Sequence, residues 1–182
     1  MRFKVIAALV VVTALMGASA SVALATSRRS GTTPAGGSVK IFVTPSNGAA
    51  ATILITGAIG DYGQTLTIDK NGKADSNGNY VKVTLHKGTF EINSTTLNAT
   101  ANSLQPTFYQ ATCSVQLSAA GPVTLVDGTG LYKGITGTLG ITETYAFISP
   151  LSTSGKNKGQ CNLSAQPISQ YSSITGSGTV SF

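Results

Sequence analysis

From Val39 onward the apolar residues of this chain recur at a spacing of two and almost never at the spacing of a helix face. A period of two is the signature of a pleated strand, whose successive side chains point to opposite faces. Val81, Val83 and Leu85 alternate with Lys82, Thr84 and His86 in the clearest case. Phe90 and Ile92 then alternate with Thr89, Glu91 and Asn93 after Lys87-Gly88, so residues 81–93 are expected to form a hairpin. Ile53 with Ile55, and Leu66 with Ile68, mark two earlier strands, separated by a glycine-rich bend between Gly57 and Gly63. Tyr109, Ala111, Cys113, Val115 and Leu117 line one face of a further strand, and Val123 and Leu125 begin the next. Residues 138–148 form another, and Ile174, Val180 and Phe182 carry the last. No helix is expected.

About eight to ten such strands joined by short turns fit an antiparallel barrel or a sandwich. The expected class is therefore all-β, as a single antiparallel closed β-barrel of about eight strands, with a β-sandwich as the alternative. Closure hides strand edges that a threonine-rich chain would otherwise leave open to pairing.

The first 25 residues follow a different rule. Arg2 and Lys4 precede an apolar run from Val5 to Met16, and small residues lead from Gly17 to Ala23-Leu24-Ala25, an A-x-A cleavage pattern. Residues 1–25 are read as a cleavable signal peptide, residues 26–38 as a flexible linker rich in Ser, Thr, Gly and Pro, and residues 39–182 as the barrel domain. The apolar run is shorter than the about 20 residues that span a bilayer, so no stable membrane anchor is expected after cleavage, and the protein is expected to be secreted. In an exported chain Cys113 and Cys161 are expected to form a disulfide. A cysteine nucleophile assisted by His86 is the rival reading, and it would strand the other thiol in an oxidising compartment.

The formal charge of +6 includes Arg2 and Lys4, and without them ten basic residues stand against six acidic ones, a net +4. These lysines are scattered, with no basic helix and few interleaved aromatics, so no nucleic-acid partner is expected. Solubility accounts for such a charge.

The segment Asp127-Gly128-Thr129-Gly130-Leu131-Tyr132-Lys133-Gly134-Ile135-Thr136-Gly137 resembles the G-x-G-x-[FY]-x-G-x-x-G signature of the allene oxide cyclase and dirigent barrel superfamily. The resemblance implies an eight-stranded barrel in which this segment precedes a strand. The rest of the chain looks closer to secreted bacterial proteins of unassigned role that share this barrel, and no catalytic residue of the plant enzymes carries over. Independently of any family, Gly128, Gly130, Gly134 and Gly137 permit positive φ and close strand approach at a corner. As a phosphate cradle the segment fails, because the second and third glycines are four apart and a strand follows instead of a helix.

Asp69, Asn71, Asp75, Asn77 and Asn79 suggest calcium ligands, yet neither register satisfies the EF-hand pattern: one puts Lys73 at a ligand position, the other Tyr80 where glycine is required. A surface hairpin loop is the expected structure, and Asn71-Gly72 and Asn77-Gly78 are turn formers. With one histidine and two cysteines no zinc or iron centre is supported, and no metal or cofactor is expected.

Glu143 shares a strand face with Leu139, Ile141, Tyr145 and Phe147. If that face is the core, burial raises its pKa and makes it a usable general acid or base, neutral or paired with a tyrosine hydroxyl or a lysine. The plainer expectation reverses the strand, with Gly140, Thr142, Thr144 and Ala146 inside and Glu143 in solvent. Asp61 and Asp127 sit beside glycines and either cap turns or border the barrel mouth.

Three functions follow as expectations. The first is a non-enzymatic secreted barrel that binds a small apolar or amphipathic ligand, or a partner through its loops. The second is a cyclase- or dirigent-like enzyme that steers a reactive intermediate in the barrel, with Glu143, Asp61, Asp127 and Tyr145 as candidate catalytic groups. The third is a structural, envelope-associated protein without a cavity.

Overall fold

The computed structural model describes residues 36–45 and 50–182, so the signal-peptide assignment and residues 26–35 of the linker lie outside the described residues. The described chain runs β1 (Gly37–Pro45), β2 (Ala50–Gly57), β3 (Asp61–Ile68), β4 (Tyr80–Leu85), β5 (Gly88–Asn93), α1 (Thr95–Ser103), β6 (Thr107–Tyr109), β7 (Ser114–Val126), β8 (Thr136–Ile148) and β9 (Ser169–Ser181). Strands pair in the order β5-β4-β3-β2-β1-β9-β8-β7-β6, and a further β5–β7 pairing joins the two sides. All pairings are antiparallel, so β1 to β5 with β7 to β9 make a closed eight-stranded barrel, and β6 is an extra strand. The barrel, not the sandwich, is the fold.

Alternation decides which side of each strand faces inward. Val39 and Ile41 of β1, Ile53 and Ile55 of β2, Val83 and Leu85 of β4, Phe90 and Ile92 of β5, Val123 and Leu125 of β7, and Leu139 and Ile141 of β8 form one buried core. On β9 the inward positions opposite Leu139 and Ile141 are Gly178 and Gly176, whose missing side chains leave room for those two residues. Large and small residues thus alternate around the wall, as a narrow barrel requires.

Three expectations are corrected, and the strand expected around Leu66 and Ile68 is present as β3 with an inward face of small residues. Residues 95–103 form a helix, although Thr-Thr-Leu-Asn-Ala-Thr-Ala-Asn-Ser is poor in helix formers. Its stability comes from tertiary contact: Leu97 is buried in the core, and the Asn98 amide donates to the carbonyl oxygen of Gly78 and to Oδ1 of Asn79. The strand expected across Tyr109 to Leu117 is broken, because the chain reverses at residues 110–113, where Cys113 adopts φ 52°, and β6 folds back on the start of β7. No new strand begins at Val123, because β7 continues unbroken through Gly121-Pro122. Proline is tolerated there because β5 and β6 leave the middle of that edge of β7 without a strand partner. In β3 the inward positions are Gly63, Thr65 and Thr67, while Leu66 is half-buried and Ile68 is buried outside the main core, bridged to Ala74.

β7, β8 and β9 outrun the barrel. The β1–β9 pairing stops at Val43 and Ile174, whereas β8 and β9 stay paired to Ile148 and Ser169. The disulfide Cys113–Cys161 ties the 149–168 connection to the β6–β7 turn at this extended end.

Candidate functional site

The two ends of the barrel differ. At the end holding the β2–β3 and β4–β5 turns, Ile59, Tyr132 and Ile135 are buried, and the Tyr132 ring meets Phe90 and Phe182 edge-on at centroid distances of 5.7 and 6.2 Å. That end is filled. Toward the other end lies a cavity of about 310 Å³, walled by Ile41, Val43, Ile53, Val81, Ile92, Leu97, Val123, Ile141 and Ile174. The small inward residues of β3 and β2 leave this space: Thr65, Thr67 and Ala51 line it. α1 supplies Leu97 and Asn98 to its wall, where Gly121 of β7 admits the leucine; a β-carbon at Gly121 would lie 3.4 Å from Leu97.

Glu143 lines the same cavity. It sits opposite Ala119 of β7 and Ile174 of β9, with Ile141 before it on the inward face of β8. The expectation that Glu143 faces solvent with Gly140 and Thr142 inside is thereby overturned, because Leu139 and Ile141 are buried while Gly140 and Thr142 are exposed. Glu143 is half-buried, and burial pushes its carboxyl above the usual carboxylate range. No hydrogen-bond donor or cation among the described residues pairs with it. The tyrosine partner expected for it is engaged elsewhere: the Tyr145 hydroxyl donates to Oε1 of Gln170 at 3.3 Å. Burial raises the Tyr145 phenol pKa, and its side chain lies outside the cavity wall.

Asp61 belongs to the filled end. The residue is 5% exposed, and its carboxylate accepts three hydrogen bonds, from the Tyr132 hydroxyl at 2.6 Å, the Tyr62 amide at 2.9 Å and the Lys87 amide at 3.0 Å. Burial pushes this carboxyl up, but the bonds from Tyr132, Tyr62 and Lys87, with the Lys87 charge, outweigh it and hold Asp61 below its ordinary value. The Tyr132 phenol moves well above its usual range, through burial first and then the bond to Asp61. His86 stacks on Tyr62 at 4.2 Å, its Nδ1 donates to the Tyr62 carbonyl oxygen at 3.0 Å, and the same nitrogen lies 3.8 Å from Asp61. A carboxylate so fully hydrogen-bonded is an anchor for three turns.

The glycine segment explains why Tyr132 reaches it. Gly130 has φ 61°, and a β-carbon there would run into the Lys87 carbonyl, so the 127–137 turn lies directly on the β4–β5 turn. Gly134 and Gly137 also take positive φ, whereas Gly128 does not. At Gly128 the constraint is space: a β-carbon would overlap the Tyr132 carbonyl. Asp127 is an exposed residue with φ 55° at the same end, just past the last residue of β7, and it does not line the cavity. In the 69–79 loop, Oδ1 of Asp69 accepts from the amides of Asn71 and Lys73 and Oδ1 of Asp75 from that of Asn77, so these carboxylates organise the turn between β3 and β4.

Thus the structure brings only Glu143 of the four titratable candidates to the cavity. Searches of protein-family models, curated proteins and solved structures find no match. Leu97 and Asn98, in a segment with no strand alternation, and Tyr132, inside a motif dominated by its glycines, are the contributors that sequence reasoning passed over. The one signal for the helix is the i, i+4 pair Leu97 and Ala101, both packed on the core.

Proposed function

We propose that this chain is an exported, non-catalytic β-barrel that binds a small apolar or amphipathic molecule at its open end. The observation that carries the reading is the cavity of about 310 Å³ with aliphatic walls, backed by a filled far end. Its volume falls at the lower end of the about 300–1,000 Å³ range of small-molecule sites. Among the described residues, a lone carboxyl with no second acid or oriented base beside it assembles no reaction centre of the usual kind. Export rests on the leader pattern and is supported by the Cys113–Cys161 bond, since disulfides persist in oxidising compartments. Among the described residues no helix is long and apolar enough to cross a membrane.

The second reading is an enzyme of the barrel superfamily that residues 127–137 resemble. It draws on one observation, the raised pKa of a carboxyl inside the cavity, which suits a general acid or base.

The test uses a neutral apolar dye, N-phenylnaphthylamine, whose emission rises on leaving water. Wild-type protein should enhance it, and Ala51→Trp, which fills the cavity from β2, should abolish the enhancement with the fold retained. A wild-type protein that gives no enhancement removes the binding reading. Chemical conversion of a bound ligand, lost in Glu143→Gln, would transfer the weight to the enzyme.

A further inference from the structure

We infer that the molecule taken into this cavity carries a protonated amine, or an equivalent cationic nitrogen, set against the Glu143 carboxylate. The inference rests on the reading of the open end as a ligand site and names the class of ligand. Ile41, Ile53, Val81, Leu97, Ile141 and Ile174 supply a wall for a hydrocarbon body. Against them Glu143 is, among the described residues, the single ionisable side chain lining the space, and no described Lys, Arg or His lines it.

The remaining polar groups do not satisfy that carboxylate. The Asn98 amide hydrogens are engaged by Gly78 and Asn79, which leaves its carbonyl oxygen as an acceptor. The Ser94 hydroxyl donates to the Asn79 carbonyl oxygen at 3.0 Å. Across the strands Glu143 faces Ala119 and Ile174, neither of which can donate. Thr65, Thr67 and Ser76 add hydroxyls that can donate or accept, so the one fixed preference of the described lining is the negative charge of Glu143, which favours a ligand whose polar end is cationic and donates. A carboxylate head group would bring like charge against Glu143 with no cation to offset it, and a hydroxyl would supply one neutral donor. An ammonium supplies three donors and the opposite charge to a carboxylate already partly withdrawn from water, where such bonds are strongest. The protein's net positive charge opposes a cation only at long range, and salt screens that repulsion over about 8 Å.

The experiment compares octylamine, octanol and octanoate by titration calorimetry near neutral pH and constant salt, on the mature protein and on Glu143→Gln. Octylamine should bind about 10- to 100-fold more tightly than octanol, with octanoate weakest. Glu143→Gln should bring octylamine down to about the level of octanol, because the loss falls on the cationic ligand far more than on the neutral one. Ile174→Lys, which places an internal cation opposite Glu143, should also remove the advantage of octylamine. Equal binding of octylamine and octanol, or a preference for octanoate, with octanol still bound, overturns the cationic ligand and leaves the binding cavity standing. Failure of all three to bind wild-type protein overturns both.

Discussion

The Tyr132 hydroxyl donates a 2.6 Å hydrogen bond to Oδ2 of Asp61 across 71 residues of sequence, and so pins the glycine-rich turn to the corner between β2 and β3. Tyr132→Phe leaves the carboxylate with its two amide donors and should cost about 1.5–3 kcal/mol, the usual worth of a hydrogen bond to a charged group. Asp61→Ala should cost more, because the hydroxyl and the amides of Tyr62 and Lys87 all lose their acceptor. Urea denaturation of the two variants checks the order.

The same pair sets a pH window for stability. Asp61 titrates lower in the folded than in the unfolded chain, so its contribution is present above the unfolded value of about 3.9 and is lost as pH falls through the folded value. Tyr132 titrates higher when folded, so its contribution is present below about 10 and is lost as pH rises further. The stability difference between wild type and Asp61→Asn should therefore shrink at acid pH, and that between wild type and Tyr132→Phe should shrink at alkaline pH. Melting curves across pH measure both.

The inward faces of β2, β4 and β5 were legible because a buried strand face has to be apolar, and Ile53, Ile55, Val83 and Phe90 announce it. β3 misled for the opposite reason. Its apolar alternation, Leu66 and Ile68, lies off the barrel core, while the face that shapes the cavity carries Gly63, Thr65 and Thr67. A cavity wall is written in small residues, which alternation counts as silence. α1 was hidden because its local propensity opposes a helix and its support comes from Gly121, Gly78 and Asn79, none of them in its own segment. For Glu143 the sequence placed it on one face with Leu139 and Ile141, but only the packing of those two against β9 glycines decides that this face is inside.

Cys113 and Cys161 close a loop of 48 residues, and the chain-entropy relation assigns such a loop about 4 kcal/mol. Paired replacement by serine should lower the urea midpoint accordingly. Intact mass before reduction should show no alkylated thiol. Because the bond joins the extension and not the barrel wall, proteolysis of the reduced protein should begin within residues 149–168.

Glu143 should act against stability at neutral pH. Burial raises its folded pKa above the unfolded value, so the folded state is favoured below about 4.3 and loses that advantage as pH rises through the folded value. Glu143→Gln should therefore melt higher than wild type at pH 7, with the gap closing as pH falls below the carboxylate range. A residue that weakens the fold while weakening ligand binding when replaced is the pattern of a functional site.

β9, the last strand in chain order, is not at an edge of the sheet: β1 holds one side of it and β8 the other. Until Ser169–Ser181 is available, β1 and β8 face each other across a missing stave, and the barrel has two open edges instead of none. Closure thus waits on β9, and a chain that lacks this strand stays unsealed. The same arrangement makes this a natural split protein: a chain ending at residue 168 and a separate peptide of residues 169–182 should reassemble, each completing the other as donor strand and acceptor groove.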